Sequence, residues 1–548
     1  MRTGSVRRVL ALLALALGPL AVLGVFFLFP VAAMVGQGFV VDGRLDVGGV
    51  LDVLARPRVH RVLRDTLLFA CAGTLGSLLL GLPAAFVLHR LDLPGRRVVR
   101  AALLVPFVLP TVVVGAAFRE LLSEGGPLGW AGLDRSPTAI VLGLVFFNAA
   151  VVIRMVGAAW EQLDPRPAEA ATALGAAPWR VLVTITLPSL RPAVVSAASV
   201  VFLFCSTAFG IVLTLGGVRY ATVETEIYLL TKTLFDLRAA AALSVLQIAV
   251  VTVLLVLTAR LRVPTGVRAS TVARVRRVQR HDVPALLATG VLLVLVAAPM
   301  VALVAGSLRR DGQWSLGNYA ALGGVGEDNP LPVPVTEALV VSLRTAVDAT
   351  WMALLLGLVV ALLVTRRSAS RTEQRIRSAV DGLFMLPLGV SAVTLGFGFL
   401  IALDHGVLDL RNSPLLVPLA QALVALPLVL RTLVPVLGAL DERQRQAAAS
   451  LGAGRWRSWR TVELPALRRP VLAASGFAFA ASLGEFGATS FLARESAPTL
   501  PVVIFRLLGH PGAHNYPMAL AAAVVLAVTT TVVMLGVERL GVRSAGGF

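Results

Sequence analysis

The stretch "EAATALGAAPWRVLVTITLP", Glu169 to Pro188, has a counterpart in "QAAASLGAGRWRSWRTVELP", Gln446 to Pro465, 277 residues further along the chain. Ala170, Ala171, Leu174, Gly175, Trp179, Arg180, Thr184, Leu187 and Pro188 each meet the same residue type in the second copy. The correspondence continues upstream at the same spacing, with Arg154 facing Arg431 and Leu163-Asp164 facing Leu440-Asp441. Earlier still, "LLLGLPAAFVLHR" resembles "LLLGLVVALLVTR", and "VPFVLPTVVVGAAF" resembles "LPLGVSAVTLGFGF". Chance does not give this pattern, so the chain is read as a duplication. What a polar-edged, glycine-bearing segment does in each copy of so apolar a protein is the question that organises the rest.

The 548 residues are 57% hydrophobic and 14% charged, with a mean hydropathy of +0.85, which excludes a soluble globular protein of this length. Apolar runs long enough to span a bilayer recur near 9–34, 63–88, 99–118, 137–160, 192–216, 239–259, 284–306, 338–365, 379–403, 414–438, 470–492 and 517–537. No alternating barrel pattern is present, so the fold class is an all-α integral membrane protein of about twelve spans. The first run follows Arg2, Arg7 and Arg8 and is longer than a signal-peptide core, which makes it an uncleaved first helix. Six spans per copy put both copies in one orientation, as parallel repeats. The expected division is 1–259 and 283–548, joined by an Arg-rich cytoplasmic linker at 260–282.

The net charge of +19 is mostly a topology signal, because arginines concentrate in the loops on the N-terminal side and place that terminus in the cytoplasm. The run "RLRVPTGVRASTVARVRRVQR" is read as a linker near anionic lipid and not as a nucleic-acid patch. Cys71 and Cys205 fall in apolar spans and read as small packing residues.

Both copies of the opening segment, within 163–190 and 440–467, fall on the cytoplasmic side between the fourth and fifth spans of their halves. Asp164 is an expected N-cap, Glu169 sits near a positive helix end, and Gly175 closes an alanine-rich turn. A smooth alanine face allows close approach, and Trp179 and Trp456 offer aromatic anchors of the kind that concentrate interface energy. Docking on a cytoplasmic partner is therefore expected, in preference to an amphipathic helix resting on lipid.

The pattern of E-A-A, three residues, G, nine residues and I/V-x-L-P resembles the cytoplasmic loop of permease subunits of binding-protein-dependent ABC importers, over nearly the whole chain. The resemblance implies a type I importer permease fold in the bacterial plasma membrane. It also implies that these loops dock into two cytoplasmic ATP-binding subunits, and that an extracytoplasmic solute-binding protein delivers the cargo. By this likeness Glu169, Ala170, Ala171, Gly175, Leu187 and Pro188 form the first coupling site, and Gln446, Ala447, Ala448, Gly452, Leu464 and Pro465 the second. Gln446 departs from the usual Glu. The chain carries no Walker A loop, and its one lysine, Lys232, falls on the predicted outer side without the preceding glycine, so ATP and Mg are expected on the partner subunits.

Fused two-half permeases of this kind serve thiamine and ferric iron, and "FGIVLTLGGVRYATVETEIY" and "SLGEFGATSFLARESAPTLPVVIFRLLG" look like the thiamine type. Glu485 lies within the eleventh span, where its repeat partner is Ala208. It reads either as a counter-charge for a cationic solute or as an acidic residue capped by a neighbouring helix or kept protonated. Phe209, Phe486 and Phe491 could line the route by stacking or cation–π contact. Arg344 and Asp348, one turn apart, are expected to neutralise each other. An ion-coupled secondary transporter is the competing class, though it has no need of two matched cytoplasmic loops.

Overall fold

A computed structural model describes residues 16–41, 43–217, 219–261, 275–365, 371–403, 410–439 and 442–539. Most of the linker expected at 260–282 lies outside the described residues.

The first half contains α1 (Ala16–Phe39), α2 (Val47–Ala55), α3 (Pro57–Arg90), α4 (Arg96–Leu104), α5 (Thr111–Leu122) and α6 (Pro137–Glu161). There follow α7 (Arg166–Ala173), α8 (Leu187–Ser206), α9 (Gly210–Gly216), α10 (Val223–Lys232) and α11 (Leu237–Leu261). The second half contains α12 (Val283–Ser307), α13 (Val335–Thr365), α14 (Arg371–Met385), α15 (Ala392–Ala402) and α16 (Leu416–Gly438). It ends with α17 (Glu442–Ser450), α18 (Leu464–Leu483), α19 (Leu500–Gly509) and α20 (Asn515–Arg539). Two short antiparallel hairpins, Val40–Val41 with Arg44–Leu45 and Arg309–Arg310 with Gln313–Trp314, follow the first helix of each half.

The duplication is visible in the packing. In the first half α3, α6 and α8 form one mutually packed triplet, and in the second α13, α16 and α18 form the other. Close approach within each triplet rests on a glycine at the same place. A Cβ on Gly81 would come within 2.8 Å of Val152, and one on Gly357 within 2.6 Å of Val429. The two halves also exchange their first helices. α1 packs on α11 of its own half and on α15 of the other, while α12 packs on α3 and α5 of the first half as well as on α20.

Among the described residues, nine helices are long and apolar enough to cross a membrane, or ten if one bent pair counts as a span. That is fewer than the twelve unbroken runs the sequence suggests, because several runs are broken. The run at 99–118 turns through 107° between its two helical pieces, where Pro106 and Pro110 withdraw backbone donors. The run at 379–403 breaks at a 3₁₀ turn, Leu386–Gly389, before Ser391 caps α15 by accepting from Thr394 N at 3.0 Å. The runs at 192–216 and 470–492 stop at matched places, α8 at Ser206 and α18 at Leu483. Arg344 and Asp348 form no ion pair; Asp348 instead accepts from Trp351 Nε1 at 3.3 Å, and Arg344 is exposed.

Candidate functional site

Each repeated segment folds as a short helix, a left-handed corner and a long helix. Pro165, not the expected Asp164, holds the N-cap position of α7; Asp164, just before it, accepts from Arg166 N at 3.1 Å through Oδ1, and Glu169 stands in the first turn. At the other end Gly175 N donates to Thr172 O at 2.9 Å and Ala176 N to Ala171 O at 3.0 Å. In the second copy Gly452 N donates to Ala449 O at 3.0 Å and Ala453 N to Ala448 O at 3.0 Å. This pair of bonds requires a left-handed residue, and Gly175 and Gly452 supply it with φ of +84° and +77°. Each corner leads through a π-helical turn, Leu182–Thr186 or Trp459–Glu463, into α8 or α18. Pro188 and Pro465, lacking an N–H, favour that wider turn at the same register in both copies.

These corners present apolar groups outward. Leu174 and Leu451 are each 89% exposed, Trp179 65% and Trp456 71%. Glu169, Ala170, Gly175 and Pro188 are exposed and Ala171 and Leu187 half-buried; Gln446, Ala447, Gly452 and Pro465 are exposed and Ala448 and Leu464 half-buried. The copies differ beyond Gln446. Trp456 stacks on Trp459 with centroids 5.0 Å apart, where the first copy has Leu182 in place of the second ring.

From these corners α8 and α18 run 20 residues each, about 30 Å of helix. At their far ends the candidate pathway residues gather. Phe209 stacks on Phe486 at 5.2 Å, and Tyr228 lies 5.5 Å from Phe209 and 5.6 Å from Phe491. Phe505 lies 5.4 Å from Phe486 and 6.5 Å from Tyr228. Four of these rings are two repeat-related pairs, Phe209 with Phe486 and Tyr228 with Phe505, so the layer is built by both halves about their common axis.

Glu485 is buried beside this layer, and both of its oxygens are engaged. Oε1 accepts from Ala488 N at 2.7 Å and Oε2 from Thr489 N at 3.0 Å, so the carboxylate caps the short helix Thr489–Leu492 that carries Phe491. This is the capped arrangement, and it holds a ring of the layer in place. The glycines of "SLGEFG" serve close approach: a Cβ on Gly484 would meet Pro110 of the other half at 3.2 Å, and one on Gly487 would meet Ala392 at 2.9 Å.

Tyr228, Phe486 and Phe505 also line a cavity of about 300 Å³, together with Lys232, Arg506 and His510. Two acidic residues of α10 escaped the sequence reading, and Lys232, read there only as lacking a Walker context, makes a contact that reading did not foresee. Glu224 accepts from Gln247 Nε2 at 2.7 Å and Ser391 Oγ at 2.8 Å; Glu226 pairs with Arg58 at 2.5 and 2.9 Å; Lys232 Nζ donates to Phe491 O at 3.2 Å. The signal that could have found them is the acidic pair in "VETEIYLLTK", flanked by apolar residues and opened by Thr222 and Thr225 in capping positions.

Fold and repeated corners together define a multi-pass membrane permease made of two copies of one unit. The chain belongs to the family described as binding-protein-dependent transport system inner membrane component, which matches residues 77–263 and again 353–544. It is 28% identical over 511 residues to the thiamine transport system permease protein ThiP of Brucella abortus (strain 2308), covering 90% of each chain. To the protein of the same name from Escherichia coli (strain K12) it is 27% identical over 455 residues, 79% of this chain and 81% of that one. Among solved structures, a chain of a bacterial ABC transporter involved in the import of the acidic polysaccharide alginate aligns with a TM-score of 0.41 and 18% identity, over 48% of this chain and 98% of that one. The chain is thus an inner membrane component of a binding-protein-dependent transport system.

Proposed function

We propose that the chain is the permease of an ATP-driven importer that carries thiamine or a closely related cation inward by alternating access. Its halves, 1–259 and 283–548, would dock through their two corners on two cytoplasmic ATP-binding subunits, with the N-terminus on the same side. An extracytoplasmic binding protein would load the opposite end. The observation that carries the reading is the similarity to thiamine permeases over 90% of both chains, which takes in both halves and both corners.

The corners support the mechanical part. Each offers an exposed leucine and tryptophan on a rigid, glycine-closed turn that continues into a helix reaching the ring layer, so a push at the corner can be felt about 30 Å away. The chain has no Walker lysine, which leaves ATP and Mg to the partner subunits. Phe486, with Tyr228 and Phe505 at the cavity, would present rings to a flat cation, and Phe209 and Phe491 would join them once the buried layer opens, Glu485 shaping the path by fixing Phe491. Lys232 and Arg506 at the cavity give a cation no electrostatic steering, and a solute handed over by a binding protein needs none.

The test is uptake into proteoliposomes holding the permease, its ATPase and its binding protein. Labelled thiamine should accumulate with ATP and be indifferent to uncouplers. Accumulation of ferric iron but not thiamine would overturn the substrate; uptake driven by an ion gradient without ATP would overturn the class.

A further inference from the structure

We propose that α10 is the bolt of this permease. One face of it, Glu224, Tyr228 and Lys232, holds the two halves together at the end away from the corners, and opening that end requires this face to let go. The inference rests on the permease reading above and goes beyond it by assigning closure to one helix of one half.

Residues 224, 228 and 232 are spaced four apart and so lie one above another on the helix. All three reach across the duplication. Glu224, with no exposed surface, takes the Ser391 hydroxyl at 2.8 Å from the N-terminus of α15. Tyr228 sets its ring edge-on to Phe491 at 5.6 Å and to Phe505 at 6.5 Å. Lys232 donates to the Phe491 carbonyl at 3.2 Å. Glu226 ties the same helix to its own half through Arg58 of α3, and Val223 N donates to Thr66 Oγ1 of α3 at 3.0 Å. The helix is therefore fastened to the first half on one side and to the second half on another.

The repeat provides an internal control. In α19 the three equivalent positions are Pro501, Phe505 and Gly509, of which only the ring is kept. The contacts of Glu224 and Lys232 across the halves thus have no equivalent at Pro501 and Gly509, and α19 is tied to the first half differently, through the Leu508 carbonyl, which accepts from Arg119 of α5 at 3.0 Å. The chemistry of the bolt suits a reversible latch. When the halves part, Gln247 of α11 travels with Glu224 and continues to satisfy one oxygen, so a single hydrogen bond to Ser391 has to be exchanged for water. Glu224 acts in this scheme as a positioning residue.

The experiment places spin labels at Thr233→Cys in the first half and His510→Cys in the second, both exposed, in the full chain with Cys71→Ala and Cys205→Ala. The distance distribution is read without nucleotide. The parent should give one short distance. Glu224→Ala should raise the population of a longer distance about tenfold, the worth of one buried hydrogen bond. Ser391→Ala, which removes the same bond from the other side, should move it in the same direction. Glu224→Gln keeps an acceptor and should stay like the parent, as should Glu226→Ala, which frees α10 only from its own half. A distribution unchanged by both Glu224→Ala and Ser391→Ala overturns the proposal, and so does equal lengthening by Glu226→Ala. Because the distance is read on the permease without solute or ATPase, this result stands apart from the uptake assay.

Discussion

Phe209 and Phe486 hold the same place in the two repeats and stack on each other, ring centroids 5.2 Å apart and planes 25° from parallel. A contact between equivalent residues can occur only where the repeats meet on their shared axis. These two rings therefore stand, buried, at that junction.

The stacked pair should behave as a unit. Truncating Phe209 and Phe486 to Ala singly and together should be non-additive in thermal unfolding of the purified chain, with a coupling of about 0.5–1.5 kcal/mol. Strict additivity would mean that the rings do not support each other.

At the corners, Gly175→Val and Gly452→Val should each impair ATPase assembly. A Cβ would meet nothing within 4 Å at either site, so the harm comes from φ of +84° and +77°, where a β-branched residue costs about 1–3 kcal/mol. Co-purification of the ATPase with either variant at the parent level would show that the corner shape does not matter for docking.

The second corner should bind its partner through tryptophan more than through charge. Trp456→Ala, which removes one ring of an exposed stacked pair, should weaken ATPase binding about tenfold or more in a titration. Gln446→Ala should do less there than Glu169→Ala does at the first corner; equal and negligible effects of all three substitutions would remove the corners from the docking surface.

Glu485→Gln tests what the buried carboxylate is for. It leaves one oxygen to serve two backbone donors, Ala488 N and Thr489 N, so the short helix carrying Phe491 should loosen. The expected outcome is a lower melting temperature together with slower thiamine uptake. Slower uptake at an unchanged melting temperature would instead assign Glu485 to direct contact with the cation.

A pH effect is expected at the opposite face from the corners. Gly49 N–H and then Arg238 hold the Asp46 carboxyl below its ordinary value, and at Asp236 the Ala239 N–H and Arg56 outweigh the upward push of burial. A lowered folded pKa means stabilisation that is complete above the ordinary carboxylate range and is lost as pH falls through the lowered value. Hydrogen exchange of the α2 amides, corrected for intrinsic rate, should therefore be flat from about pH 7 to 5 and rise below about pH 4. Rising exchange already between pH 7 and 5 would show that these aspartates do not set it.

The duplication, the corners and the clustering of the rings were legible because their signals are local: a repeated motif, a glycine after an alanine turn, and rings beside glycines at a helix break. The breaks in the runs at 99–118 and 379–403 were not, since hydropathy averages across a proline that the backbone cannot. Glu224 and Glu226 were missed for a different reason. Lying between two runs, they look like the contents of an exposed loop, and what buries them is Ser391 from the other repeat and Arg58 from the start of α3, neither of which is near in sequence.

Carrying both repeats on one chain has an evolutionary consequence. In a symmetric pair of identical subunits every substitution would strike twice at the axis, so a carboxylate like Glu485 would face its own copy and a bolt like Glu224 would be doubled. Here Ala208 stands opposite Glu485 in the repeat, Pro501 opposite Glu224 and Leu182 opposite Trp459. Fusion lets selection change one copy of a position, as at Glu485, Glu224 and Trp459, without disturbing its twin.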